Sequence, residues 1–158
     1  MKEIKMKRGF VAMVDDEDYE HLNQWKWHVL ITNKNIYARR DIRGEVGQTT
    51  KMHRLIMNAP KDKEVDHIDH NGLNNQKSNL RICTHAQNCM NVNPVGKSRY
   101  LGVCLTRNGN GNPIIRSTIR TGEKRITIGQ FKTEIEAAKA YDKMAKKYHG
   151  DFANLNFK

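Results

Sequence analysis

An acidic residue beside a histidine, Asp66-His67, followed by an amide-rich run and then by Asn88, is the stretch best equipped for chemistry. A carboxylate and an amide oxygen are two hard ligands. With the other positions left to water and phosphate they suit a magnesium-like ion, which keeps much of its hydration. Next to a phosphate so held, an imidazole with a pKa near neutrality can deprotonate an attacking water. On a purely structural reading Asp66 and Asn79 would only satisfy backbone donors, which leaves His67 unexplained.

For these groups to converge, local structure must bring them together. Residues 65–68 and 80–83 are short, apolar and β-prone, with Ile82 aligned to bury beside Val65, and residues 70–75 between them are turn formers. Thr84 stands three residues before Gln87, a capping-box spacing that opens a helix through Asn88. The expected order is strand, wide loop, strand, helix, with Asp66 and Asn88 facing one cavity.

Asp66-His67, the Asn-rich loop, Ser78-Asn79-Leu80-Arg81 and Asn88 resemble, in order and spacing, the ββα-metal motif of HNH homing endonucleases of the phage and intron type. The resemblance implies that Asp66 and Asn88 hold one divalent metal, Mg2+ or another such as Mn2+, and that His67 is the general base. It also implies that Asn79 braces the loop and orients His67. Many members carry histidine where this chain has Asn88, so His85, a turn earlier, competes for the ligand role. Residues 51–57 resemble the segment preceding the motif in the same group, and His53 within it is either a core histidine or an accessory group near the scissile phosphate.

The chain has 158 residues and a formal net charge of +11, which points to a polyanionic partner. The charge is uneven: residues 1–96 hold 15 Lys and Arg against 12 Asp and Glu, whereas residues 97–158 hold 13 against 5. Three cysteines, Cys83, Cys89 and Cys104, form no C-x-x-C pair, which argues against a disulfide framework or a four-thiolate zinc site. A zinc site on Cys83, His85 and Cys89 is a minor alternative to free thiols. No apolar run suits a signal peptide or a membrane span, so an intracellular, cytoplasmic protein with no membrane partner is expected.

Upstream of the motif, residues 9–14 read as a strand, Asp15 or Asp16 as a helix cap, residues 24–29 as a strand with Trp25 and Trp27 on one core-facing side, residues 36–42 as a strand and residues 51–57 as a helix. Arg39, Arg40 and Arg43 could contact phosphates. The expected organisation is a nuclease domain over 1–92 with its motif at 65–90, a linker at 93–98 and a second domain over 99–158.

In that second domain, strands over 99–105, 114–120 and 124–128 would put Ile115, Ser117, Ile119, Ile126 and Ile128 inward, and Arg116, Thr118, Arg120, Arg125 and Thr127 outward. Thr133 and Glu136 cap a helix whose stripe of Ile135, Ala138, Tyr141, Ala145 and Tyr148 covers the sheet. Tyr100, Gly102-Val103, Ile128-Gly129, Phe131, Glu136-Ala137-Ala138, Ala140-Tyr141-Asp142, Gly150 and Leu155-Asn156-Phe157 resemble the Apetala-two, or ethylene-response-factor, DNA-binding domain. The resemblance implies a three-stranded antiparallel sheet packed on one helix, its outer face entering the major groove. Leu101 and Cys104 replace arginines of that family and Ile115 replaces an aromatic, so guanine-rich specificity is not carried over.

The sequence therefore predicts an α+β protein. It would be a site-selective endonuclease acting on double-stranded DNA with one divalent metal and a histidine base, needing no obligate protein partner. The alternative is a sequence-specific DNA-binding regulator with an inactive nuclease half.

Overall fold

The computed structural model describes residues 1–32, 35–42, 48–94, 96–122 and 124–157; Arg43 lies outside them. The chain divides into two compact units, Met1–His85 and Ala86–Lys158. The expected linker, 93–98, lies within the second.

In the first unit, β1 (Lys2–Lys5) pairs antiparallel with β2 (Val11–Val14), and α1 (Asp16–Asn23) follows. Asp15 occupies the N-cap position of α1, but its side chain does not cap. Its carboxylate instead accepts from the Lys77 amide (2.8 Å) and from Gln76 Nε2 (3.1 Å), tying the helix start to the hairpin loop. A three-stranded antiparallel sheet comes next: β3 (His28–Ile31), β4 (Ile36–Asp41) and β5 (Thr49–Lys51), with β4 central. Lys51 leads directly into α2 (Met52–Ile56).

Strand alternation divides this sheet. One face sends Ala38 into a core with Ile4, Ala12, Val14, Leu22, Trp27 and Met52. Trp27 is buried and donates from Nε1 to the Leu22 carbonyl (2.9 Å). Trp25 is only half-buried, precedes β3, and carries the Arg40 guanidinium 4.2 Å above its ring. The other face carries Leu30 and Tyr37 and turns toward the hairpin of β6 (Glu64–His67) and β7 (Leu80–Cys83), which α3 (His85–Asn88) follows as a single turn.

In the second unit, β8 (Val103–Arg107), β9 (Pro113–Thr121) and β10 (Lys124–Phe131) form an antiparallel sheet with β9 central, backed by α4 (Glu134–His149). The first strand starts later than expected, because the preceding segment is claimed by the tail. Asn156 Oδ1 accepts from the Leu101 amide (2.6 Å), Asn156 Nδ2 donates to the Leu101 carbonyl (3.2 Å), and buried Asp142 accepts from the Asn156 and Phe157 amides (2.9 Å each). Leu101 is consequently a core residue. Gly102 turns the chain into the strand at φ +71, where a Cβ would lie 2.0 Å from Tyr141 Cδ2.

The buried stripe of α4 is Ala137, Ala138, Tyr141, Asp142, Ala145 and His149. Ile135 and Tyr148, expected inward, are 48% and 42% exposed. The helix is rolled because two polar residues have inward partners: Asp142 the tail, and His149, whose Nε2 bonds the Arg120 carbonyl (2.7 Å). Thr133 Oγ1 caps the helix by accepting from the Glu136 amide. Ser98, placed at the end of the expected linker, is buried and donates to Glu134 Oε2 (2.6 Å).

Candidate active site

The hairpin loop is held by a lattice of amides. Asn79 Oδ1 accepts from the Asp69 amide (3.0 Å), and its Nδ2 donates to Asp69 Oδ1 and to the Asn74 carbonyl (2.9 Å each). Asn79 thus closes the loop by bonding three points on it. The loop also docks on β2: the Met13 amide donates to the Leu73 carbonyl (2.9 Å) and the Asn75 amide to the Met13 carbonyl (2.8 Å). Burial pushes the Asp69 carboxyl up, but hydrogen bonds from Asn74, the Asn71 amide and Asn79 outweigh it and hold it below the usual range.

Asp66 and His67 end β6, and both are buried. Alternation sends Asp66 to the side of its cross-strand neighbour Arg81, and His67 to the opposite side. Arg81 Nε and Nη2 both donate to Asp66 Oδ2, at 2.8 and 2.7 Å, a charge-assisted pair that fixes the carboxylate. Across the hairpin Val65 is buried, whereas Ile82, expected to bury beside it, is 40% exposed.

The His67 ring lies in an aromatic cluster, 4.8 Å from His53 and 5.8 Å from Tyr37, with His53 and Tyr37 5.4 Å apart. Gly72 lets the loop close onto Tyr37: a Cβ there would meet the Ile36 carbonyl at 2.4 Å and Tyr37 Cδ1 at 2.7 Å. Burial pushes the His67 pKa below its usual 6.5, partly offset by the Asn75 side-chain amide, which favours the protonated ring, and by Asp69 and Asp66. Its ring is therefore neutral at neutral pH, the form in which an imidazole accepts a proton. His53 is buried too, and desolvation first, then His67, Lys51 and Arg54, lower its pKa to about 3.

Sequence reasoning gave the loop-bracing and ring-orienting roles to Asn79 alone. In the structure Asn79 braces the loop, while fully buried Asn75 donates from Nδ2 to the Leu73 carbonyl (3.1 Å) and favours the protonated His67 ring. Tyr37 was also missed. Asn75 looked like one more turn former, and Tyr37 one more strand aromatic; the clue to Tyr37 was its position out of phase with core-facing Ala38. His85, the rival ligand, is an exposed residue 2.9 Å from Glu64 Oε1. Among the described residues no three His, Cys, Asp or Glu gather as a metal-binding group, so Cys83, His85 and Cys89 form none. Cys83 is buried, and its pKa is raised to about 11, chiefly by that burial, which disfavours a ligating thiolate. The division between units falls inside α3, so Asp66 belongs to the first and Asn88 to the second.

The model of a family described as HNH endonuclease matches residues 51–90, the stretch from the end of β5 through the hairpin to just past α3. An uncharacterised HNH endonuclease of Acanthamoeba polyphaga mimivirus is 33% identical over 153 residues, covering 94% of this chain and 76% of the relative. The chain belongs to the HNH endonucleases. As a member of that family it is a nuclease acting on DNA, and the matched segment contains Asp66, His67, Asn79 and Asn88. Part of the endonuclease chain also has relatives of another kind. APETALA2-like protein 2 of rice, in both the indica and japonica subspecies, is 39% identical over 62 residues, 39% of this chain and 14% of the relative. No solved structure matches.

On the second unit's sheet, Arg120 pairs across from Arg125, Thr118 from Thr127, and Arg116 lies between Cys104 and Gln130. Directly opposed residues share a face, so the five expected DNA-binding residues lie on one side, opposite buried Ser117 and Ile119. Ile126 sits across from Ile119 yet remains 38% exposed. A register shift between Thr127 and Gly129 makes Ile128 the extra residue, and it packs against Leu101, Ile119 and Tyr141.

Proposed function

We propose that this endonuclease hydrolyses phosphodiester bonds of double-stranded DNA with one divalent cation and with His67 as general base. The observation that carries this reading is a neutral, buried imidazole at the end of β6, adjacent to a carboxylate pinned by Arg81 and below a loop closed by Asn79.

The donor chemistry fits a hard cation. Asp66 offers a carboxylate oriented by two guanidinium donors, and Asn88, from the resemblance, an amide oxygen; magnesium accepts such a small set because water fills the rest. The bound cation, Mg2+ or Mn2+, would offset charge on the scissile phosphate and the departing oxygen. His67 takes a proton from water as the water oxygen bonds to phosphorus and the bond to the 3′ oxygen breaks. The products are a 5′ phosphate and a 3′ hydroxyl, the latter taking its proton from solvent. Asn79 holds the loop during this step. The second unit, on the strength of its Apetala-two resemblance and the rice relatives, would lay Arg116, Thr118, Arg120, Arg125 and Thr127 in the major groove and confer site selectivity of the homing type.

The test is incubation of the full chain with supercoiled plasmid and magnesium, followed on a gel. The wild type should relax or linearise the plasmid, chelation should stop it, and His67→Ala should slow it by roughly two to four powers of ten. Normal cleavage by His67→Ala, or cleavage indifferent to chelation, would refute the mechanism.

A further inference from the structure

Three positions of the first unit's sheet line up across its strands: His28 of β3 is opposite Arg39 of β4, and Arg39 is opposite Lys51 of β5. They share the face of Tyr37, two residues from Arg39, and Tyr37 packs against His67. Lys51 Nζ lies 4.8 Å from the Tyr37 ring centroid, which joins the row to the catalytic imidazole. Arg40, by contrast, leaves by the other face and stacks on Trp25.

The row costs stability in the free protein. Like charges directly opposed on a sheet repel, and no carboxylate among the described residues pairs with Arg39 or Lys51. Arg39 Nε is buried and has no hydrogen-bond partner among the described residues, and the same is true of Arg40 Nε; what separates the two is that Arg39 shares the Tyr37 face whereas Arg40 stacks on Trp25. All three residues are half-buried, so their heads are only partly solvated. A cationic line with unmet donors, ending at the base of a nuclease, suits a polyanion. With strands about 4.8 Å apart the two gaps of the row span about 10 Å, against about 7 Å of axial rise across three successive phosphates at ~3.4 Å a step, a difference within the reach of the long Arg39 and Lys51 side chains.

We infer that Arg39 and Lys51, flanked by His28, form a track that binds successive phosphates of the DNA strand and leads it past Tyr37 to His67. The inference rests on the assignment of His67 as the catalytic base. It gives the nuclease unit its own grip on the substrate, distinct from the sheet of the second unit. Of the basic residues on β4, it selects Arg39 and sets Arg40 aside as structural.

The experiment measures binding of a fluorescein-labelled mixed-sequence duplex to the full-length His67→Ala protein across a salt series, together with plasmid cleavage by the corresponding variants carrying His67. Each lost phosphate contact removes about one unit from the slope of log K against log salt. Arg39→Gln and Lys51→Gln should each lower the slope by about one, Arg39→Lys should restore most of it, and Arg40→Gln should leave it unchanged. In cleavage, KM should rise several-fold while kcat changes less. Urea midpoints followed by tryptophan fluorescence identify any variant that fails to fold, and Arg39→Lys then carries the comparison. Unchanged slopes in Arg39→Gln and Lys51→Gln would overturn the track while leaving the nuclease assignment intact. A fall in kcat with slope and KM unmoved would also overturn it, since the row would then act on the imidazole alone. If the wild type does not cut, the nuclease mechanism fails, and the slopes still decide whether the row binds DNA.

Discussion

Acidification should loosen the first unit through one buried ring. His53 is only 4% exposed, stacks edge-on to His67 at 4.8 Å, and has a buried Nδ1 with no hydrogen-bond partner among the described residues. Burial is the main reason its pKa falls from 6.5 to about 3, with His67, Lys51 and Arg54 adding repulsion. Below 6.5 the unfolded chain therefore binds a proton that the folded chain refuses, so stability falls as pH falls and the loss levels off near pH 3. At about pH 5, proton binding favours the unfolded ring by RT ln(1 + 10^1.5), about 2 kcal/mol, and the folded ring by almost nothing. His67, shifted in the same direction, adds to the effect, so the contribution of His53 must be isolated by difference. Both tryptophans, Trp25 and Trp27, lie in the first unit, and their fluorescence during urea unfolding reports on that unit. Between about pH 7.5 and about pH 5 the wild type should lose about 2 kcal/mol more than His53→Gln, a relative midpoint shift of about 1–2 M at the urea dependence typical of a small unit. Equal losses in the two proteins would refute the argument, and with it the exclusion of a protonated His53 from the site.

Two other substitutions probe the framework. Arg81→Met removes both donors from Asp66 Oδ2 and should destabilise the first unit by about 3 kcal/mol, the low end for a broken buried pair because Arg81 is partly exposed; saturating magnesium should recover part of the loss, read as the tryptophan urea midpoint. Gly102→Ala puts a Cβ 2.0 Å from Tyr141 Cδ2 at φ +71, and strain plus overpacking should cost about 2–4 kcal/mol, measured by thermal unfolding and by lost amide protection in β8.

Elements whose own residues dictate them were legible in the sequence. The hairpin strands are β-prone runs bounded by turn formers, β7 begins and ends where expected, and Thr133 with Glu136 announces the start of α4. What was not legible depends on distant partners. β1 is the polar run Lys-Glu-Ile-Lys, and only pairing with β2 makes it a strand. The start of β8 is set by the hold of Asn156 on Leu101, 55 positions apart in the chain. The orientation of α4 follows polar Asp142 and His149, which an apolar-stripe count discards. In the candidate site, the identities and spacing of Asp66, His67 and Asn79 single them out in the sequence. Those of Asn75 and Tyr37 do not, because what matters about these two is the surface they meet.

The like-charge alignments of the two sheets bear on one physical question. Arg120 faces Arg125 in the second unit, and Arg39 faces Lys51 in the first. Each alignment forgoes a cross-strand pair that could have contributed up to ~1 kcal/mol and accepts repulsion instead, in a chain already carrying +11. A sheet built for stability alone would alternate charge at those positions. The repulsion is relieved when phosphates enter and counterions leave. On the proposed DNA-binding roles, the unfavourable pairs of the free protein would become part of its affinity for DNA, and replacing one partner of each pair with glutamate should raise thermal stability while lowering affinity for duplex.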